Sequence, residues 1–227
     1  MKIAEIFYSI QGEGILLGVP SVFVRTSGCN LRCTWCDTPY TSWNPEGRQL
    51  SISEIAEEVT KFSTNHVVIT GGEPMIAPEI VELTESLHAS GLHITIETAG
   101  TVYANVACDL MSISPKLSNS IPIERENGRW ADQHERLRYQ PAILKRLMSE
   151  YPFQLKFVVS SPDDLIEIGR MQSELEAPTS SIVLMAEGTD RELLRRRGIW
   201  LAEICKNAGY RYSPRLHIDL WGDKRSV

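Results

Sequence analysis

The sequence lacks a long apolar segment. No window of its 227 residues approaches the run of about 20 apolar residues that a membrane-spanning helix needs. At the amino terminus Lys2 precedes a few apolar residues, but Glu5 and the polar stretch 11–13 interrupt any signal-peptide core. We therefore expect no membrane partner and a location in the cytoplasm.

An excess of positive charge is missing as well. The formal net charge is −6, and the isoelectric point is near 5.5. This balance disfavours the broad electrostatic attraction to phosphate backbones on which nucleic-acid binding depends, so we expect no nucleic-acid partner. The hydrophobic share of 42% and the charged share of 23% are ordinary for a globular protein and select no function.

Low-complexity tracts and linkers rich in Pro, Gly or Ser are also absent. At this length one hydrophobic core is more common than two, so we predict a single domain over residues 1–227. Segment 117–138 differs from the rest because it is polar, has no clear period and carries eight charged side chains. We predict a long loop insertion there, either solvated or acting as a lid, since loops of this length are often functional.

Short β-rich runs alternate with helical stretches along the chain. The predicted strands are 3–8, 21–25, 66–70, 93–97, 110–114, 154–159, 181–185 and 215–218, and the predicted helices are 53–62, 78–90, 141–151, 162–175 and 190–208. Repeated strand–helix units indicate parallel strands with helical crossovers. Because a full eight-unit barrel needs about 250 residues, we predict an α/β fold with an incomplete parallel (β/α)6-type TIM-like barrel.

Glycines and polar side chains follow several predicted strands directly. These segments are 28–29, 71–74, 98–100, 115–116 and 187–188. In a parallel barrel the carboxyl ends of the strands and their loops build the active site. The pattern therefore predicts one functional face made from segments that are distant in sequence.

The five cysteines are an odd number, and Cys29, Cys33 and Cys36 lie within eight residues. Such a set fits a metal site in a reducing compartment better than a disulfide framework. Thiolates are the usual ligands of iron–sulfur clusters, and a cubane on three cysteines keeps one iron open to a small molecule. Structural zinc is the alternative, but it usually takes four ligands, and the next candidates, Cys108 and His66, continue no zinc spacing.

The spacing Cys-x3-Cys-x2-Cys resembles the signature of the radical S-adenosylmethionine (SAM) superfamily, and Gly-Gly-Glu-Pro at 71–74 resembles its second motif. The resemblance implies a [4Fe-4S] cluster on the three cysteines, which cleaves SAM to methionine and a 5′-deoxyadenosyl radical. It places the SAM contacts at Trp35, Cys36, Asp37, Gly72, Glu73, Ser114, Pro115 and Lys116. Glu73 would supply a negative group opposite the methionyl ammonium.

Motifs along nearly the whole chain closely resemble the 7-carboxy-7-deazaguanine synthase family. They lie at 5–14, 23–29, 36–38, 70–74, 97–101, 112–116, 155–159 and 217–222. The resemblance implies conversion of 6-carboxy-5,6,7,8-tetrahydropterin to 7-carboxy-7-deazaguanine with release of ammonia. This lyase reaction is a radical ring contraction on the route to queuosine and other 7-deazapurines.

The same resemblance assigns the remaining site positions and partners. Substrate contacts are implied at Ile10, Gln11, Gly12, Glu13, Arg25, Thr70, His217 and Val227. Arg25 suits the substrate carboxylate because a planar guanidinium can donate two charge-assisted hydrogen bonds. Thr38 occupies the position of a Mg2+ ligand, and this ion prefers oxygen. A flavodoxin- or ferredoxin-type reductant and a homodimer are also implied.

Two other functions are alternatives, of which the first uses the same three-cysteine motif. A glycyl-radical enzyme activase acts on a protein backbone, and the set Gln11, Arg25 and Thr38 argues against it. A non-catalytic electron-transfer or regulatory iron–sulfur protein would not explain an open iron beside the Gly-Gly-Glu-Pro loop. Cleavage of SAM by the reduced protein would separate this last class from both enzymes, and dependence on the tetrahydropterin would separate the two enzymes.

Overall fold

A computed structural model describes residues 1–227. Its strands are β1 (Lys2–Ile10), β2 (Pro20–Thr26), β3 (Arg48–Gln49), β4 (His66–Gly71), β5 (His93–Thr98), β6 (Leu110–Ile113), β7 (Phe153–Val159), β8 (Ile182–Ala186) and β9 (Arg211–Ser213). Its helices are α1 (Pro39–Ser42), α2 (Ile52–Thr60), α3 (Ile80–Ala89), α4 (Ala131–Leu137), α5 (Pro141–Glu150), α6 (Asp164–Leu175), α7 (Arg191–Ala208) and α8 (Leu216–Trp221).

All nine strands belong to one sheet, in the order β3-β1-β2-β4-β5-β6-β7-β8-β9. From β2 through β9 every neighbouring pair is parallel, whereas β1 pairs antiparallel with β2 and β3. No pairing joins β3 to β9, so the sheet stays open. The predicted incomplete parallel barrel is confirmed, with a parallel run of seven strands instead of about six.

The core lies between the sheet and its crossover helices. Strand β8 is buried at every residue and β7 at all but its first, as expected where helices cover a parallel sheet. The amino end of α2 carries the predicted capping box, in which the Ser51 hydroxyl accepts from the Glu54 amide and the Glu54 carboxylate accepts from the Ser51 amide. None of the helices combines the length and the apolar character that crossing a membrane demands.

The predicted strand 215–218 is wrong, because residues 216–221 form helix α8 and the last strand is β9. The Leu216 amide donates to the Gly12 carbonyl at 3.0 Å at the start of this helix. The helix buries Ile218 against the core. A tertiary contact therefore overrides the local β preference, which depends strongly on context.

The prediction of a loop over 117–138 is wrong for residues 131–137, which form α4. Short 3-10 turns cover 118–120 and 125–128. The hydrophobic pattern did not indicate helix α4, because the helix has no apolar stripe and its buried residue is the polar His134. The neighbouring Arg138 is buried too, and its guanidinium donates to Glu135, to Glu167 and to the Lys116 carbonyl.

Candidate active site

A cavity of about 750 Å3 opens at the carboxyl ends of the parallel strands. All the predicted site residues line it except Gly12, Glu73 and Pro115. They come from β1, β2 and β4, from the loops that follow these strands and β6, from α8 and from the carboxyl-terminal tail, so the fold brings together segments that are far apart in the chain. The predicted functional face therefore exists as one cavity.

The cysteine loop, residues 29–36, follows β2 and contributes all three thiols to the cavity. The Leu31 amide donates to Cys29 Sγ at 3.3 Å, and Cys36 Sγ lies 3.2 Å from the Ser42 hydroxyl. Burial raises the pKa of Cys29 to about 12 and also raises the pKa of Cys33. Iron binding would deprotonate these thiols, as a coordinating metal does.

These cysteines provide the donor set of a cluster. Thiolates are the usual ligands of iron–sulfur clusters, and each of the three would bind a separate iron of a cubane. Three thiols around one cavity, two of them with a hydrogen-bond partner, match a cluster with three protein ligands.

Gly72 joins the second motif to the cysteine loop through its backbone. A Cβ at this position would overlap the carbonyl oxygens of Gly28 and Thr41. The Gly72 amide donates to the Thr26 carbonyl at 3.2 Å, and the Glu73 amide donates to the Gly28 carbonyl at 2.9 Å. Glycine is needed because two backbones approach more closely than a side chain allows.

The Glu73 side chain is directed into the protein. Its carboxylate accepts from the Thr98 hydroxyl at 2.7 Å, from the Ala99 amide at 2.8 Å and from the Met75 amide at 3.1 Å. Burial raises the pKa of this carboxyl. The carboxylate thus ties the loop after β4 to the loop after β5, and the contact with the methionyl ammonium stays a prediction.

A network of ion pairs lies on the other side of the cavity. The Glu13 carboxylate pairs with Lys156 and with Arg215 Nε, the latter at 3.2 Å. Lys156 also lies 3.8 Å from Glu97, and Arg215 pairs with Asp37. Although burial opposes ionisation, the two cations lower the pKa of Glu13 well below its usual range.

Sequence reasoning missed Glu97, Lys156 and Arg215 as site residues. Glu97 accepts from Gln11 Nε2 at 3.2 Å and from the Thr70 hydroxyl at 2.8 Å. It therefore orients two predicted substrate contacts. A usable signal was present at Lys156, a cation flanked by the apolar residues Leu155 and Phe157 in β7, since such charges are almost never buried unpaired.

His217 lies against Gly12, where a Cβ would overlap the imidazole ring. Gly12 therefore contributes by leaving room for His217, which does line the cavity. Burial lowers the pKa of this histidine.

Arg25 is held by Glu5, a residue of β1. Arg25 Nε donates to Glu5 at 2.7 Å, and the Tyr40 and Ser226 hydroxyls donate to the same carboxylate at 2.6 and 2.7 Å. The two terminal nitrogens of Arg25 make no hydrogen bond with the protein, so they stay available in the cavity. Glu5 thus links Arg25 to the tail that carries Val227.

The remaining predicted SAM and Mg2+ positions also have defined partners. Lys116 Nζ donates to the Ser114 hydroxyl at 2.8 Å and lies 5.9 Å from the centroid of the Trp35 ring. The hydroxyl of Thr38 has only Cys36 Sγ as a partner, at 3.8 Å. Its role as a Mg2+ ligand stays a prediction.

Comparisons with known proteins agree with this arrangement. Residues 23–139 match the model of the radical SAM superfamily. The 7-carboxy-7-deazaguanine synthase of Halobacterium salinarum is 44% identical over 98% of this chain and 91% of its own. The 7-carboxy-7-deazaguanine synthase of Rhodopirellula baltica is 46% identical over 100% of this chain and 89% of its own. The crystal structure of QueE from Escherichia coli superimposes with a TM-score of 0.67 at 26% identity and covers 95% of this chain and 94% of its own.

Membership in the superfamily implies a [4Fe-4S] cluster and SAM, for which the three cysteines and the cavity are suited. With the match extending over nearly the full length of its relatives, the chain belongs to the 7-carboxy-7-deazaguanine synthase family of the radical SAM superfamily.

Proposed function

We propose that the chain converts 6-carboxy-5,6,7,8-tetrahydropterin to 7-carboxy-7-deazaguanine with release of ammonia. The observation that carries this proposal is one cavity in which three cysteines meet the unpaired guanidinium edge of Arg25. No observation favours a glycyl-radical enzyme activase or a non-catalytic iron–sulfur protein.

When bound, the cluster supplies the electron that cleaves SAM and so generates the radical that abstracts a substrate hydrogen. The chain itself binds and orients the substrate. Arg25 would hold the substrate carboxylate through its two terminal nitrogens, while Glu5 fixes the guanidinium plane from behind. Glu97 would keep the Gln11 amide and the Thr70 hydroxyl directed at the pterin.

Lys156 would act as a fixed positive charge and not as a base. Burial disfavours its charged form, but Glu13 and Glu97 outweigh that effect and raise its pKa above the usual value. The ammonium proton therefore stays on Nζ at neutral pH. Together with Arg215 it holds Glu13 ionised at the edge of the substrate pocket.

The carboxyl-terminal tail would exclude water from the reaction. The Arg225 guanidinium lies 3.6 Å from the centroid of the Tyr40 ring and 3.2 Å from the Glu46 carboxylate. These contacts and the Ser226 bond to Glu5 bring Val227 to the cavity wall. Val227 would contact the pterin from that side.

Mg2+ belongs to the proposal, with Thr38 as its protein ligand. We expect Thr38→Val, which keeps the shape but removes the oxygen, to raise the Mg2+ concentration needed for half-maximal turnover by about tenfold or more, a typical cost of disturbing a metal site. A Mg2+ titration of the initial rate measures this. Thr64→Val, just before β4 at the amino ends of the parallel strands and outside the cavity, is the control. An unchanged Mg2+ response in Thr38→Val would contradict the ligand assignment.

A flavodoxin- or ferredoxin-type protein would deliver the electron, the chain would work as a homodimer, and the reaction would take place in the cytoplasm. The five free thiols support a reducing compartment.

Anaerobic turnover tests the proposed function. The reconstituted, reduced protein is mixed with SAM, Mg2+ and 6-carboxytetrahydropterin, and the deazapurine is followed by mass spectrometry. Product formation supports the full proposal. If 5′-deoxyadenosine forms without the deazapurine, the radical chemistry holds and the substrate is wrong.

Arg25→Lys is expected to raise the KM for the pterin about 10- to 100-fold with a smaller change in kcat. A lysine keeps the charge but cannot donate the paired hydrogen bonds, and one charge-assisted hydrogen bond contributes about 1.5–3 kcal/mol. Steady-state kinetics with the pterin varied measures both constants. Arg195→Lys, on the exposed surface of α7, should leave both unchanged. Equal KM values for the pterin in the two variants would show that Arg25 does not bind the substrate carboxylate.

A further inference from the structure

Segment 117–138 lies beside the cavity and is hydrogen-bonded directly to the cysteine loop. The Thr34 amide donates to the Ser120 carbonyl at 2.8 Å, and the Trp35 indole donates to the Asn119 carbonyl at 3.0 Å. A third bond runs from the Arg32 amide to His134 Nδ1 at 3.1 Å. The cysteine loop has no regular secondary structure, so its backbone relies on such partners.

His134 has a defined tautomer. Because the Arg32 amide donates to Nδ1, that nitrogen carries no proton, and the neutral ring has its proton on Nε2. Nε2 lies 2.9 Å from the Ser120 hydroxyl, and that hydroxyl donates to the Leu117 carbonyl at 2.6 Å. Each polar atom of the imidazole therefore has one partner, although the side chain is only 1% exposed.

The surroundings of His134 favour the neutral ring. Burial, and then the cations Arg138 and Lys116, lower the pKa of His134 to about 4, while Glu135 acts weakly in the opposite direction. An imidazolium would carry a proton on Nδ1 and could not accept from the Arg32 amide. At neutral pH His134 Nδ1 therefore carries no proton and accepts from the Arg32 amide.

We propose that His134 is a positioning residue for the iron–sulfur cluster. Through Nδ1 it fixes the peptide between Leu31 and Arg32, which lies between the ligands Cys29 and Cys33, and so sets where these two thiolates stand. The cluster itself rests on membership in the superfamily, and the inference needs no assumption about the pterin reaction. Ser120 supports the ring from the other side.

Two amide variants separate the contacts of the ring. In His134→Asn the side-chain oxygen can take the place of Nδ1 and accept from Arg32, whereas in His134→Gln the amide reaches the place of Nε2 and Ser120. Both variants are neutral and polar. Each protein is reconstituted anaerobically without pterin, and its iron and sulfide content, its rate of cluster loss to an iron chelator and the electron paramagnetic resonance spectrum of the reduced cluster with and without SAM are recorded.

We expect His134→Asn to lose its cluster within about twofold of the unchanged rate and to keep the spectrum. His134→Gln should lose the cluster about tenfold faster and give an altered spectrum, because the buried Arg32 amide is then left without an acceptor. Ser120→Ala, which leaves the Arg32 contact in place, should resemble His134→Asn.

Equal rates of cluster loss in His134→Asn and His134→Gln would overturn the proposal. So would a melting temperature of the metal-free protein that falls in step with cluster loss, since that pattern is a general loss of folding stability. All readouts are taken in the absence of pterin. If the protein holds a normal cluster but the separate turnover assay with 6-carboxytetrahydropterin gives no deazapurine, the proposed function fails and the role of His134 stands.

Discussion

Cys33→Ala is expected to abolish both 5′-deoxyadenosine and deazapurine formation. Cys33 is buried within the cysteine loop and faces the cavity with Cys29 and Cys36. With two thiolates left, the cubane loses one of its three protein ligands, and the open iron that would bind SAM loses its fixed position. Iron and sulfide content after reconstitution, together with both products by mass spectrometry, measures the effect.

Cys108→Ala is the matched control. Cys108 is a free thiol that lies outside the cavity, and its Sγ only approaches the Ile94 carbonyl, at 3.7 Å. This variant should bind the cluster and turn over normally. If Cys33→Ala retained full cluster content and 5′-deoxyadenosine formation, Cys33 would not be a cluster ligand.

Lys156→Met is expected to lower the free energy of unfolding by about 3–5 kcal/mol, the usual cost of leaving a buried charge without its partner. Lys156 is buried and stands between the carboxylates of Glu13 and Glu97. Its loss would leave Glu97 without a cation, and Glu13 with Arg215 alone. Denaturant unfolding under anaerobic conditions measures the change, and turnover should fall with it.

Two comparisons show whether the loss comes from the unpaired charge. Glu13→Gln combined with Lys156→Met should be less destabilising than the sum of the single changes, because the two residues are coupled. Lys206→Met removes an exposed pair with Glu203 and should cost less than about 1 kcal/mol. If Lys156→Met lowered the free energy of unfolding by no more than Lys206→Met does, the buried network would contribute little to stability.

The cysteine site could be predicted from sequence because its ligands are close together in the chain. Three thiols within eight residues indicate a metal site by number and spacing, and their resemblance to the radical SAM signature implies the cluster. The meeting of the strand ends could be predicted equally well, since parallel strands of a β/α fold all finish at one face. The cavity accordingly contains most of the residues that the motifs pointed to.

The ion network could not be found in this way. Glu13 is 143 residues from Lys156 and 202 from Arg215. Glu13 follows β1, Lys156 lies in β7 and Arg215 follows β9. Charged residues at such separations have no local pattern that links them. Their pairing follows from burial, because an ionised group inside the protein must meet an opposite charge.

Glu73 and His134 show the same limit in two single residues. The motif marked Glu73 as important, but only the fold shows that its carboxylate accepts from Thr98 and Ala99. His134 lies in a segment without apolar period, and nothing around it in sequence indicates its bond to Arg32, 102 residues away.

The sequence by itself determined the chemistry that the protein can carry and the layers of its fold. Cysteine spacing indicates a metal site whose likeness to the radical SAM signature implies the cluster, and the alternation of strands with helices indicates a parallel sheet, because both depend on neighbours along the chain. Tertiary structure alone decided which charges meet at Glu13, how Glu5 presents Arg25, and that His134 supports the cysteine loop. These are contacts between distant segments, and they arise only when folding removes water and each buried polar atom must find a partner.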